Sequence, residues 1–284
     1  MPSVLLGRYP PRYVAMITDE FPRVLEGLNF RGARYAPVID STGCYAGLIR
    51  LPMVAEALLG YYREGRLEEL RSIRARSLTD NTIPPVKLSE ITPSDIARIM
   101  VEHDTGGLAV VDDDSRVIGE ITEKELIDVL SVIRPLGVKV SEIMTPNPAT
   151  VEATEKLLRV LEVMCGRRVR RVPVTYQGEL VGIVTIRDVI RYVNRVFEEK
   201  GHISNEDLEV EVWYVATPRL ATVKLTDDAS VAIKVMRSEG VGSVLVLDEE
   251  SRLTGILTER DLIARVPEIG KMLEMASKTL VPAS

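Results

Sequence analysis

GIVTIRDVIRYV at residues 182–193 and GILTERDLIARV at residues 255–266 are close copies of one another. Each starts at a Gly, runs through a short apolar, β-branched stretch, and passes at a Thr into a segment of helical periodicity. Two fainter copies precede them, GLIRLPMVAEAL at 47–58 and GEITEKELIDVL at 119–130. The first and third glycines lie 135 residues apart and the second and fourth 136, with a shorter step in the middle. That spacing describes a duplicated pair: copies one and two form a unit, and copies three and four form its sibling.

Upstream of each Gly lies a second strand: RYAPVID (34–40), GLAVVDD (107–113), RVPVTYQ (171–177) and SVLVLDE (243–249). The links between the strands, STG, DDDS, YQGE and DEES, are turn chemistry, so each pair of strands predicts a β-hairpin. Pro37 and Pro173 occupy equivalent places in the odd copies, where the even copies carry Ala109 and Leu245. Before each hairpin an amphipathic helix is predicted, as in Leu157, Leu158, Val160, Leu161 and Met164 of copy three. Each copy is therefore β-α-β-β-α, over about 8–62, 80–133, 140–196 and 212–268. One such unit buries too little apolar surface to stand alone, so pairing is expected to close a shared core, in halves 1–136 and 137–284. The fold class is α+β: four repeats packed as two pseudo-twofold pairs.

Composition excludes several functions. The chain has 284 residues, 45% hydrophobic and 27% charged, which supports a packed core. No apolar run reaches the roughly 18 to 20 residues of a membrane helix, which excludes a membrane-spanning transporter or channel; no membrane partner is expected. MPSVLLGRYPPRY at the start lacks the pattern of a secretory signal. Cys44 and Cys165 are too few for a disulfide framework or a four-ligand zinc site, and His103 and His202 are far apart, so no metal is expected. Neither a GxxxxGK[ST] loop nor a G-x-S-x-G elbow is present. A cytoplasmic protein that is not an enzyme is the expectation. The net charge of −6 gives no global pull toward nucleic acid. An Arg-rich, nearly Gln-free composition fits a thermophilic source.

GIVTIRD, GILTERD and EIMTPNPATV (142–151) carry a family resemblance: the repeat resembles the CBS domain, named for cystathionine beta-synthase. The resemblance covers nearly the whole chain as four repeats, most specifically in copies three and four. It implies a stand-alone protein of the kind common in archaea, whose disc-like pair of modules is similar to the gamma subunit of AMP-activated protein kinase. It further implies that an adenine nucleotide (AMP, ADP or ATP) or a related adenosyl compound binds between paired repeats. Binding would regulate a partner, and the modules would self-associate as a homodimer. Some relatives of this kind resemble ribosome- or nucleic-acid-associated factors, which leaves an interaction protein with a protein or ribosomal partner as the alternative.

A ribose diol is well held by a carboxylate, and Asp188 and Asp261 each follow a Thr, Thr185 and Thr258, by three residues at a helix start. Arg187 and Arg260 precede them as phosphate partners. The resemblance adds Thr150 and Thr222 on the first strands. It places adenine against backbone near Arg171, Val172 and Pro173, and near Val241, Gly242 and Ser243. Thr-x-x-Asp before an apolar helix is equally an ordinary N-cap. Copy two has Glu125 after Thr122, with Pro85 near the place of Thr222. Copy one has Arg50, Met53 and Ala15 where Thr, Asp and Thr would stand. The first half is therefore expected to be structural or partner-binding.

Three further features have two readings each. Arg167, Arg168, Arg170 and Arg171 form either a phosphate or RNA contact or a solvated turn. Cys165, beside these arginines, is expected to have a lowered pKa or simply to be packed. Residues 61–76 predict a solvated linker helix, and Asp112, Asp113 and Asp114 a hairpin turn.

Overall fold

The computed structural model describes residues 6–87, 89, 91–265 and 268–280; the first five residues of the N-terminal stretch read above lie outside them. Copy one contains β1 (Ala15–Met16), α1 (Phe21–Phe30), β2 (Tyr35–Ile39), β3 (Tyr45–Arg50) and α2 (Leu51–Arg63). Copy two contains α3 (Pro93–Glu102), β4 (Gly107–Val111), β5 (Val117–Thr122) and α4 (Glu123–Leu130). Copy three opens with α5 (Val140–Ile143) and β6 (Thr145–Pro146). It continues as β7 (Val151–Glu152), α6 (Leu157–Arg167), β8 (Arg171–Tyr176), β9 (Glu179–Thr185) and α7 (Ile186–Lys200). Copy four holds β10 (Thr222–Lys224), α8 (Ala229–Glu239), β11 (Ser243–Leu247), β12 (Leu253–Thr258) and α9 (Glu259–Arg265), followed by α10 (Ile269–Leu280).

Local chemistry accounts for the boundaries. Thr92 caps α3 in a box with Asp95, with Pro93 in the first turn. Gly201 and Gly240 end α7 and α8 in the left-handed conformation, at φ 75° and 67°. The first strand of each copy lies parallel to the first hairpin strand, as Ala15 opposite Val38 and Val151 opposite Val174. In copy two this strand shrinks to one bridge, Val86 with Val110.

The recurring Gly has a tertiary cause. The segment leading each repeat crosses over and pairs with the second hairpin strand of its neighbour. Arg8 bridges Glu120, Asp80 bridges Leu48, Thr217 bridges Ile183, and Pro146 sits opposite Gly255. A Cβ on Gly47 would stand 2.7 Å from the Asp80 carbonyl oxygen, one on Gly119 2.9 Å from that of Arg8, and one on Gly182 3.0 Å from that of Thr217. Gly255 lies equally close under Met144. This exchange joins copy one to two and copy three to four.

The helical cores run the other way. One apolar cluster joins α1 and α2 to α6 and α7, with Leu25 and Leu58 among Leu157, Leu161 and Val193. The Phe21 and Phe197 rings meet there at 5.8 Å. The other joins α3 and α4 to α8, α9 and α10, with Met100 and Leu130 among Ile233, Leu262 and Leu273. Copies one and two meet sheet to sheet, where Tyr35 and Leu48 are buried with the residues of copy two. Their helix stripes face outward and are covered by the sibling pair. The expectation that a pair closes its own core is thus met only at the sheets.

Residues 61–76 are not a solvated helix. α2 stops at Arg63, and tight turns at 67–72 and 75–78 bury Leu67, Leu70, Ala75 and Leu78 in the first cluster. In the matching connector between α7 and β10, Ile203, Leu208 and Val212 are buried, whereas Trp213 and Tyr214 are 65% and 70% exposed. Asp112 holds the hairpin turn, its Oδ1 accepting from the N–H groups of Asp114 (3.0 Å) and Arg116 (2.8 Å). No helix among the described residues is long and apolar enough to cross a membrane.

Candidate functional site

Thr185 starts α7 and thereby sets Asp188. The Thr185 N–H (2.9 Å) and hydroxyl (2.6 Å) donate to Asp188 Oδ2, and the Asp188 N–H donates back to Thr185 Oγ1 at 3.3 Å. Asp261 repeats the arrangement on α9, with Thr258 N–H at 2.9 Å and hydroxyl at 2.7 Å. In each box Oδ2 satisfies free N–H groups at the helix start, and Oδ1 is left for other partners. Arg191 donates to Asp188 Oδ1 at 3.2 Å; the Thr145 hydroxyl donates to Asp261 Oδ1 at 3.4 Å. The cap and ligand readings of Thr-x-x-Asp are therefore compatible. Copy two shows the cap alone: the Thr122 N–H donates to Glu125 Oε2 at 2.8 Å, and its hydroxyl bonds the same oxygen.

Each aspartate lines a cavity. The larger, about 540 Å³, brings Thr258, Arg260 and Asp261 together with Thr145 and Arg171. Arg50 and Glu56 of copy one and His103 and Asp104 of copy two complete it. The smaller, about 210 Å³, gathers Thr185, Arg187 and Asp188 with Val241, Gly242 and Ser243. Arg34 and Pro52 of copy one close it. Tyr35, Arg170 and Arg171 line both cavities and so form the wall between them. The first half, expected to be structural or partner-binding, supplies walls to both.

Four predicted residues line neither cavity. Val172 and Pro173 are buried within the sheet of copy three, and Thr150 and Thr222 are exposed. On β10 the strand alternation turns Val223 into the core and Thr222 outward. The residue that reaches Asp261 is Thr145, five positions before Thr150. Its signal was in the sequence: the Thr-Pro of 145–146 recurs at 217–218, and Thr217 lines the smaller cavity.

Ion pairs between the halves organise the centre. Arg34 of copy one binds Glu259 of copy four. Its counterpart Arg170 of copy three binds Glu123 of copy two at 3.1 Å. Glu123 also takes Arg260 at 3.1 Å, and the Arg170 guanidinium donates to the Tyr35 hydroxyl at 2.7 Å. The Tyr35 hydroxyl, then Glu123, hold Arg170 above the ordinary guanidinium value against its burial. Burial raises Tyr35.

Copy three breaks this symmetry by placing Arg171 where copy one has Tyr35. Among the described residues Arg171 makes no ion pair. Burial, then the guanidiniums of Arg170 and Arg34, pull it down to about 10. Arg187 is likewise pulled down to about 10 by burial, Arg34 and Arg12. Both remain cationic at neutral pH; burial and the neighbouring guanidiniums outweigh the nearby carboxylates, Glu259 and Glu123 for Arg171 and Asp188 for Arg187.

The arginine run thus divides. Arg168, left-handed at φ 53°, ends α6. Arg167 and Arg168 stay exposed, and Arg170 and Arg171 turn into the centre. Cys165 is not activated: burial, then Glu56, raises its thiol pKa. Among the described residues no three His, Cys, Asp or Glu side chains gather to hold a metal ion.

The family model for the CBS domain matches residues 81–132, 140–195 and 211–268. Copy one lies outside these matches and is placed with them by its element order. An "Uncharacterized 33.4 kDa protein in ribosomal RNA operon" of Thermofilum pendens is 29% identical over 288 residues, covering 97% of this chain and 95% of that protein. The solved structure of protein MJ1225 from Methanocaldococcus jannaschii is similar with a TM-score of 0.79 at 20% identity, over 92% of this chain and 98% of that one. A conserved protein from Pyrococcus horikoshii gives a TM-score of 0.59 at 18% identity, over 91% and 96%. These two likenesses show the fold.

Proposed function

The chain belongs to the CBS domain family, and from that premise we propose that it is a non-catalytic regulatory protein that binds adenine nucleotide. AMP, ADP and ATP are the ligand class, and residues 1–136 and 137–284 are the two halves whose relative set responds. One observation carries this reading: two aspartates cap helix starts with Oδ2 and offer Oδ1 to cavities walled by arginines. A carboxylate oxygen suits a ribose diol, and guanidiniums suit phosphates. Asp188, Thr185, Arg187, Val241, Gly242 and Ser243 serve one ligand; Asp261, Thr258, Arg260 and Thr145 serve the other, with Arg171 reached from both.

The halves meet through Arg34–Glu259 and Arg170–Glu123, so phosphates arriving at these arginines compete with the glutamates that join the halves. That competition is the route by which a ligand alters the surface seen by a protein partner in the cytoplasm. The rival reading, a ribosome- or RNA-binding protein, loses support because Arg170 and Arg171 turn inward.

Calorimetric titration with AMP, ADP and ATP tests the reading. The expected result is micromolar saturable binding, weakened about tenfold or more when Asp188→Asn and Asp261→Asn are combined. No saturable binding up to millimolar nucleotide would sink it.

A further inference from the structure

We propose that the two cavities take adenine ligands of different charge: the smaller a nucleoside di- or triphosphate, the larger a nucleoside carrying at most one phosphate. This rests on the nucleotide-binding reading above.

The difference lies in which guanidiniums already hold a carboxylate. In the larger cavity Arg260 is held by Glu123 (3.1 Å) and Asp104 (3.0 Å), Arg170 by Glu123 (3.1 Å), and Arg50 by Asp80 (2.9 Å). Three acidic side chains, Glu56, Asp104 and Asp261, also line it. A polyphosphate entering there would have to strip carboxylates from their partners and face the remaining acids, a like-charge arrangement. The cations left over are Arg171, on the shared wall, and Arg168, exposed to solvent where its attraction is screened.

The smaller cavity is lined by a single acid, Asp188. Arg171 and Arg187 face it, and neither makes an ion pair among the described residues. Arg187 gives one hydrogen bond, to the Gly32 carbonyl at 3.2 Å. Arg34, Arg170 and Arg219 add charge already met by Glu259, Glu123 and Glu239. Burial and neighbouring guanidiniums depress Arg171 and Arg187 alike, as expected of cations that a polyanion would relieve. Their origin is local to copy three. Arg171 and Arg187 stand where copy one has Tyr35 and Pro52. Arg171 is shared by both cavities, so a triphosphate in the smaller one withdraws the larger one's buried unpaired cation.

The test is calorimetry on the full chain with ATP and with adenosine, separately and with adenosine added after ATP saturation. The expected result is one ATP per chain, with one adenosine still binding the ATP-saturated protein. Arg187→Gln should weaken ATP by about tenfold or more and leave that adenosine site unchanged. Glu56→Arg, on the exposed side of α2, should raise the ATP stoichiometry toward two. Two equivalent ATP sites in the unmodified chain would overturn the proposal. So would equal weakening of ATP and adenosine by Arg187→Gln. Either result would leave nucleotide binding itself standing. Failure of both ligands to bind removes the nucleotide reading and the proposal together.

Discussion

Copy one and copy three share the order β-α-β-β-α and differ at the turn into their last helix. Copy three reads Thr185-Ile186-Arg187-Asp188, and its Thr and Asp close a capping box on Oδ2, leaving Oδ1 to Arg191 and the cavity. Copy one reads Arg50-Leu51-Pro52-Met53. There the Arg50 guanidinium donates to Asp80 Oδ2 at 2.9 Å and to the Asp104 carbonyl at 3.1 Å, filling the space the box would border. Pro52 starts α2 without needing a side-chain cap. A repeat without the Thr-x-x-Asp box still supplies its siblings, since Arg34, Arg50 and Pro52 wall the cavities of copies three and four. Degeneracy of a repeat is therefore a statement about its own turn and not about its neighbours' sites.

The largest expected effect breaks the link between the halves. Glu123 is almost fully buried and serves both Arg170 and Arg260. Glu123→Ala leaves Arg170 without a carboxylate and Arg260 with the exposed Asp104 alone, and should destabilise the fold by about 3 kcal/mol in urea unfolding. A loss under about 1 kcal/mol would mean the halves are held by their helical cores alone. Next in size is the exchange within a pair. Gly182→Val drives a side chain against the Thr217 carbonyl and should cost about 2 kcal/mol by the same measurement, with nearby Gly178→Val, at an open turn, as its contrast. Gly178 has φ 85°, so its substitution carries backbone strain but no collision.

A smaller change sharpens the comparison of capping boxes. Asp188→Asn should reduce ATP affinity about tenfold, whereas Glu125→Gln in the cap of copy two should leave it unchanged in the same titration. Equal losses would show that both boxes act only through the fold. The smallest effect concerns Arg50 and Asp80. Burial acts to raise the Asp80 carboxyl, but Thr82 and Arg50 outweigh it and hold the group below its ordinary value of 3.8. A carboxyl depressed in the folded state stabilises above its unfolded pKa and stops doing so as pH falls through the folded value. Asp80→Asn should therefore flatten the loss of stability on acidification below about pH 4, seen as a shallower fall in melting temperature.

Much of this was legible in the chain. The four hairpins were, because strand alternation and turn residues act over a few positions: Arg171–Tyr176 and Ser243–Leu247 fall inside the stretches read as strands. The helix starts at Thr185 and Thr258 were too, and with them Asp188 and Asp261. Thr145 was missed in favour of Thr150: the Thr-Pro recurring at 145–146 and 217–218 marks the segment, but only the fold shows that this Thr crosses to the neighbouring repeat. Arg171 was placed near the site, but the inward turn of Arg170 onto Tyr35 and Glu123 was missed. An arginine run reads as a solvated surface unless its partners, Tyr35 and Glu123, are known to be near.

The sequence by itself determined the repeat, its β-α-β-β-α order, the duplicated pairing and the capped aspartates, all of which rest on short-range periodicity and hydrogen bonding. Only the tertiary structure decided that helical cores cross between the halves, that the recurring Gly lies beneath an exchanged segment, and that Arg34 meets Glu259 across 225 positions of chain. Those outcomes depend on how four similar surfaces cover one another. The covering is selected by the total apolar and ionic surface removed from water, a quantity no single repeat contains.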